Sequence, residues 1–488
     1  MLCTQQITRE QKGPFVKTHC NTNELNFQDL NRRSVLAAFD GGHITSDAGA
    51  LLLREIEYGQ QFIQRFCAHF NDLRDTRFIE HSVQELISQR VYAIGLGYED
   101  LIDHDLLRAD PLLAVACGKQ DPEGKNRRSL RDVGKPLAGK STLNRLETAG
   151  SLLSVRPRCK KIIAEMSELE EYFIDTFVRT SPAKAPRVVI LDFDATDDPL
   201  HGKQEGRFFH GYYDCYCYLP LYVFCGDQLL WAQLRKADID ASEGALEVLK
   251  GIVKKIRHKW PRVRILLRGD SGFCRDELMS WCEANGLYFL LGMAKNSRLL
   301  KRIRRTMKKA KREWACTGTA ARRFVNFSYR TKKSWTRSRR VVGKAEYLDK
   351  GENPRFVVTN LPPEEMQPQQ LYEKVYCARG DMENRIKEQQ LYLFADRTSS
   401  ATMRANQLRL WFSSLAYVIL NELRRVGLKG TKLAKASCQT IRLKLLKLGA
   451  QVRLSVRRVK VNFSSAYPYQ ELFHTVLANL QHCYCLRN

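Results

Sequence analysis

Three acidic residues in this 488-residue chain stand in settings suited to gripping a divalent cation: Asp194, Asp270 and Glu383. Asp194 closes the apolar run RVVILDFD (187–194), and Asp270 closes a second run, VRILLRGD (263–270). Glu383 lies in YCARGDMENRIKE (376–388), a stretch with helical spacing. Two strand-end carboxylates and one helix carboxylate can share a cleft. Hard oxygen ligands of this kind suit Mg²⁺ or Mn²⁺, and two such ions can hold both the attacking and the leaving oxygen of an in-line phosphoryl displacement. The chemistry they point to is cleavage and joining of DNA strands.

Each acid also has a plainer reading. Side chains alternate along a strand, so Asp192 and Asp194 face the same way and either could bind metal. Two buried carboxylates on one face call for a compensating cation, because an unpaired buried charge is costly. Asp197 and Asp198, ahead of Pro199, read as turn or capping residues. Asp270, in RGDSGF (268–273), sits where a strand turns into a helix and taken alone could be a helix cap. Around Glu383, Tyr376, Arg379 and Lys387 fall at offsets of −7, −4 and +4, one face of a helix. Cations on both sides of the carboxylate suit a site that also holds DNA phosphates; the bland alternative is a pair of i,i+4 salt bridges.

The elements that must position these residues follow from periodicity. Runs at 188–193, 216–224 and 229–234 predict three strands, then a helix near 242–258, a strand at 263–268, a helix near 274–285 and a strand at 287–291. A three-strand meander followed by alternating helices and strands predicts an α/β sheet, whose ligands lie beyond the carboxyl ends of its strands. Both aspartates fall there. Upstream, residues 1 to about 33 are polar and irregular, and from Ser46 apolar residues recur with helical spacing, so the N-terminal region reads as mostly helical. A loop over 118–139 leads to a short helix over 141–147 with Ser141 as its candidate cap. Leu408, Trp411, Leu415 and Ile419 form a helical stripe best read as core packing.

Charge names the partner. With a net +27, the chain is built for a polyanion, nucleic acid first. Segment 295–344 carries nineteen Lys or Arg against one acid, Glu313, and interleaves them with Trp314, Phe324, Phe327, Tyr329 and Trp335. It reads as an inserted, basic, β-rich lobe, with Arg322, Arg323, Lys332, Lys333, Arg339 and Arg340 as DNA contacts. A further stretch, 424–460, has twelve Lys or Arg and no acid, and reads as a second phosphate-contacting surface.

Other classes are disfavoured. No stretch approaches the roughly 18–20 apolar residues of a spanning helix, and the opening MLCTQQ lacks the basic start and apolar core of a secretory leader, so the expected location is the cytoplasm. Fifteen cysteines include no C-x-x-C pair, which argues against a zinc site or disulfide framework; Cys215/Cys217 and Cys483/Cys485 read as small buried side chains. GKPLAGKS (134–141) matches the phosphate-loop pattern G-x-x-x-x-G-K-[ST]. Charged residues, not a buried strand, precede it, and Pro136 removes a cradling N–H, so nucleotide binding through Lys140 is the minor reading.

Taken together, FDGGHITSDAG (39–49), LAGKSTLNRLE (137–147), LDFDATDD (191–198), RGDSGF (268–273) and 376–388 resemble bacterial insertion-sequence transposases of the DDE type, most closely the insertion sequence 1380 family. The resemblance spans nearly the whole chain. It implies an α/β fold with an RNase H-like catalytic core, a mixed five-stranded sheet with flanking helices, interrupted by a basic β-rich insertion. It implies Asp194, Asp270 and Glu383 as the catalytic, metal-binding triad for Mg²⁺ or Mn²⁺, with two ions. It also implies the divisions 1–180 (helical, DNA-binding), 181–298 and 354–425 (the core), 299–353 (insertion) and 426–488 (basic, DNA-contacting). The expected partners are double-stranded DNA, as terminal inverted repeats and target, and a second copy of the chain. Water would cleave a phosphodiester at the element's end, and the freed 3′-hydroxyl would attack target DNA. Tyr376, Arg379 and Glu383 fit a Y-x2-R-x3-E-x6-K signature, but its lysine position is Gln390, leaving Lys387 as the candidate substitute. The alternatives are a catalytically inactive DNA-binding relative and, less favoured, an ATP-dependent DNA-processing factor.

Overall fold

Alternating and β-branched residues at 188–195 build one strand of a nine-stranded mixed sheet in the computed structural model, which describes residues 24–149 and 161–485. The reading of the opening residues as leaderless lies outside the described residues. Across the sheet the order is Gln228–Gln233, Leu221–Cys225, Val188–Ala195, Arg264–Gly269, Tyr288–Met293, Arg355–Thr359, Arg339–Leu348 and Ala321–Tyr329, with the short Gly351–Glu352 on Arg339–Leu348. Val188–Ala195, Arg264–Gly269 and Tyr288–Met293 run parallel, and the strands flanking them pair antiparallel. The expected α/β class is what the structure has. Its first five strands in chain order lie third, second, first, fourth, fifth.

Each face of the sheet is covered. Val189, Leu191 and Phe193 point into a core shared with helices Ala245–Lys259, Asp276–Ala284 and Ser297–Thr317. On the opposite face Leu266, Leu290, Val342 and Val357 meet Leu371 and Tyr372, at the start of the helical stretch that carries Glu383. Alternation therefore sends Asp192 and Asp194 toward that stretch.

Several expectations need correction. The run 216–224 is two strands: Pro220 has no N–H for a ladder, and the chain leaves the small sheet of Cys215–Tyr218 before entering Leu221–Cys225. The basic segment is not a separate β-rich lobe. It opens with the helix Ser297–Thr317, which buries Leu299, Ile303, Met307 and Ala310, and its two long strands extend the central sheet. The residues just upstream of 33 are not all irregular, since Leu25–Leu30 and Arg33–Ala37 form an antiparallel hairpin exposed along its whole length.

The boundaries drawn at 180 and 425 separate regions that share one core. Helix Met403–Glu422 is buried on nearly all sides, with Leu408, Leu410, Trp411, Phe412, Leu415 and Leu420 in the core. Helices Ala50–Gln60 and Val83–Leu96 pack on it from the N-terminal side, and Gln470–Cys485 joins the same cluster. His43–Thr45 also pairs with Ala450–Leu454. The Cys483/Cys485 pair sits on that last helix, where spacing of two does not share a face, and Cys485 is exposed. The helix expected at 141–147 is Lys140–Glu147, with Gly139 rather than Ser141 at its cap position.

Candidate active site

Register places the two strand-end aspartates. Arg268 lies opposite Asp192, and Gly269 opposite Phe193, so Asp270 and Asp194 leave adjacent parallel strands side by side. Asp192 already has its cation: Arg268 Nε donates to Oδ1 at 2.5 Å and Nη2 to Oδ2 at 2.7 Å. A third guanidinium N–H donates to the carbonyl of Val375, tying the sheet to the helical stretch above it. The compensating cation expected on this strand face is, for Asp192, an arginine.

Asp194 is served differently. Arg379 places Nη1 3.4 Å from Asp194 Oδ1 and Nη2 2.6 Å from Glu383 Oε1, so one guanidinium bridges a strand carboxylate and a helix carboxylate. Asp194 and Arg379 side chains are only 16% and 15% exposed, Glu383 45%. Burial pushes the Asp194 carboxyl up to about 7; Arg379 opposes the shift, and the negative charges of Asp270 and Glu383 add to it. For Arg379 burial disfavours the charge, but Asp194, Glu383, Tyr376 and Asp270 outweigh it and hold the guanidinium above its ordinary range. Asp270 also does what its plainer reading predicts, its Oδ1 accepting from Gly272 N–H at 2.8 Å to close the turn after its strand.

The helical stretch is not one uniform helix. Leu371–Tyr376 winds with wide, π-type turns, Cys377–Arg379 tightens, Gly380–Lys387 is α, and Glu388–Tyr392 widens again. Such interruptions frequently mark functional sites. Of the predicted face, Arg379 and Glu383 bond each other, and Tyr376 reaches the Asp270 turn. A Cβ at Gly292 would lie 2.5 Å from the Tyr376 hydroxyl and 2.9 Å from Ser271 N, so glycine is what lets the ring and the turn approach. Lys387 is exposed and joins none of these acids. Gln390 is a bracket: its Nε2 donates to the carbonyl of Asp197 and to Asp198 Oδ1, both at 3.0 Å. Asp198, read as a turn residue, is fully buried, and burial drives its carboxyl up to about 8.

The donor set is chemically right for a hard divalent ion, three carboxylates around one countercharge. In this arrangement, however, no three acidic, histidine or cysteine side chains among the described residues converge as a ready metal site. The guanidinium of Arg379 lies between Asp194 and Glu383.

The predicted DNA-contacting cations divide. Lys332 and Lys333 are exposed. Arg322 pairs with Glu346 and Glu373 at 3.2 and 3.4 Å, and Arg323 with Glu313 at 2.9 Å, all three pairings half-open to solvent on the arginine side. Arg339 is 4% exposed and clamped by Asp276 at 2.5 Å and Glu283 at 2.9 Å. Arg340 donates to the carbonyls of Leu361 and Met366. These last two brace the sheet and do not present free cations. What the sequence reading passed over is helix Ser297–Thr317, whose outer face exposes Arg302, Arg304, Arg305, Lys308, Lys309 and Arg312. The 4, 4, 3 spacing of its buried stripe was the available signal.

Tyr213 donates its hydroxyl to the carbonyl of Ala195 at 3.4 Å, and burial together with the charges of Asp197, Asp194 and Asp270 holds that hydroxyl well above its ordinary range. The phosphate-loop match fails: a short turn of helix, Leu130–Asp132, precedes it instead of a strand, and Lys140 pairs with Asp105 at 3.1 Å. No helix among the described residues is long and apolar enough to cross a membrane.

Comparison with known proteins adds a family. The family described as Transposase DDE domain group 1 matches residues 27–485. No curated protein matches the chain in sequence. Among solved structures, a cryo-EM piggyBac transposase synaptic complex with hairpin DNA aligns over 81% of this chain and 80% of its own, at 11% identity and a TM-score of 0.42, too loose a likeness to argue from.

Proposed function

This chain belongs to the transposases of DDE domain group 1, and from that premise we propose that it binds the terminal inverted repeats of an insertion sequence, cuts the DNA there and joins the freed end to target DNA. The observation that carries this reading is the side-by-side exit of Asp194 and Asp270 from adjacent parallel strands, with Glu383 linked to Asp194 through Arg379. Our reading of the five-strand unit as an RNase H-like core is supported by its 3-2-1-4-5 order. The sequence pieces set out above favour the insertion sequence 1380 type within the family.

Asp194, Asp270 and Glu383 are the residues that would hold Mg²⁺ or Mn²⁺, which supplies Lewis-acid stabilisation of charge on the phosphate oxygens. Arg379 bridges Asp194 and Glu383, and its guanidinium would be available to a DNA phosphate where a cation supplied the countercharge to those acids. Tyr376, packed against Gly292, fixes the Asp270 turn. The outer face of helix Ser297–Thr317, together with Lys332 and Lys333, holds flanking or target duplex, and two copies act together because two ends must be joined. The setting is the bacterial cytoplasm.

The test is strand cleavage of a labelled duplex made from the DNA flanking the reading frame, with Mg²⁺ or with chelator, by wild-type and Asp270→Ala protein. Metal-dependent nicking at a fixed position, lost in the variant, is expected. Specific binding without cleavage in either Mg²⁺ or Mn²⁺ would replace this reading with that of a catalytically inactive DNA-binding relative.

A further inference from the structure

The hairpin joining Phe208–His210 to Cys215–Tyr218 plays no part in the chemistry above, yet its surface is distinctive. Nine aromatic side chains are exposed among the described residues, and four of them fall within these eleven positions: Phe208, Phe209, Tyr212 and Tyr216 at 48, 45, 85 and 44%. Single exposed rings are ordinary; a cluster marks a binding surface. Phe209 and Tyr216 face each other across the strands with ring centroids 5.5 Å apart, and the Arg207 guanidinium lies 3.9 Å over the Tyr216 ring. At the turn, Tyr212 packs edge-on to Tyr213 at 5.0 Å, and the Tyr213 hydroxyl bonds the carbonyl of Ala195, the residue after Asp194. The cluster is thus rooted at the lip of the carboxylate site.

An exposed ring beside an arginine offers a face to stack on. A base inside duplex DNA has both faces occupied and a terminal pair exposes one, whereas a base that has left the helix offers both faces and is the species such a ring favours. We propose that this hairpin is a stacking platform for an unpaired nucleobase of the DNA end held beside Asp194 and Asp270. The proposal rests on the transposase reading and goes beyond it by naming unpaired DNA as what this surface grips.

The full-length protein is tested with two duplexes made from the flanking DNA, one fully paired and one with a short single-stranded overhang carrying 2-aminopurine. Wild type is expected to quench the probe and to bind the overhang duplex about tenfold or more tightly than the paired one. The double variant Phe209→Ala, Tyr212→Ala loses that preference and keeps its paired-duplex affinity and melting temperature, while Tyr212→Phe, which retains the ring, behaves as wild type. Equal binding of both duplexes by wild type, or an undiminished preference in the double variant, overturns the platform and leaves the transposase reading standing. Failure to bind either duplex overturns both. A double variant that changes only self-association in sedimentation makes the patch a surface between copies and also overturns the proposal.

Discussion

Two arginine–carboxylate clusters sit two residues apart on one strand and strike opposite balances. At Asp192 one buried arginine meets one carboxylate, with Arg268 forked onto both oxygens. At Asp194 one arginine, Arg379, serves three acids, Asp194, Asp270 and Glu383. The first cluster is closed and has nothing left for an ion. With all three acids ionised, as metal binding requires, the second keeps two formal negative charges uncompensated at the mouth of the sheet, the charge a divalent cation carries. Alternation made the two aspartates equivalent; what separates them is that the parallel strand Arg264–Gly269 still runs beside Asp192 and has ended where Asp194 sits, while Leu221–Cys225 pairs with both.

The largest effect is expected in the open cluster, where Asp270→Ala or Glu383→Gln lowers strand cleavage about a thousandfold or more while the protein still melts cooperatively; cutting at the wild-type rate would remove these residues from the chemistry. In the closed cluster, Arg268→Ala strands a buried carboxylate and costs about 3–5 kcal/mol in urea unfolding. Added Mg²⁺ does not restore it, whereas Mg²⁺ does restore the melting temperature lost in Arg379→Ala. Equal metal rescue of both variants would show that the two clusters do not differ in this way.

Asp198 gives a third case, a buried acid whose side-chain partner is the neutral Gln390, with the charges of Asp396 and Asp197 nearby. Its carboxyl rises to about 8 from an ordinary 3.8, so between those values the folded chain keeps a proton that the unfolded chain has released. Stability contributed here therefore falls as pH climbs from about 4 to about 8 and is level above. Asp198→Asn should flatten that slope and raise stability at pH 8, by at most about 6 kcal/mol, and an unchanged pH profile of unfolding would refute it. The smallest effects belong to the surface: Lys308→Gln or Lys309→Gln should each reduce the salt dependence of DNA binding by about one unit of slope without altering folding. Arg339→Gln, by contrast, should be felt first in stability.

How much of this was legible depends on which force dominated locally. The meander and the two βα steps could be read because burial on one or both faces imposes a period on the residues themselves. The settings of Asp270 and Glu383 were legible for the same reason, one at the turn that closes an apolar run and the other on one face of a helical stretch. In 295–344 the charge density drew attention to the strands and away from the stripe of Leu299, Ile303, Met307 and Ala310, so the most cationic helix was overlooked. Arg339 could not be told from Lys332 by sequence, because both are cations in one basic run; only packing against Asp276 and Glu283 makes one a brace. The wide turns flanking the Glu383 segment leave no compositional trace.

The sequence by itself determined the α/β class, the strand-end and helical settings of the three acids, and the strongly basic charge from which a polyanionic partner is expected, since these depend on local periodicity and summed charge. Tertiary structure decided which cation meets which acid, that Gln390 holds Asp198 where a lysine was sought, that helices from both ends of the chain share a core around Met403–Glu422, and that an aromatic hairpin stands beside Asp194. Those are contacts between residues far apart in the chain. They are set by strand register and by which buried faces close on one another, and neither is written in the spacing of any single segment.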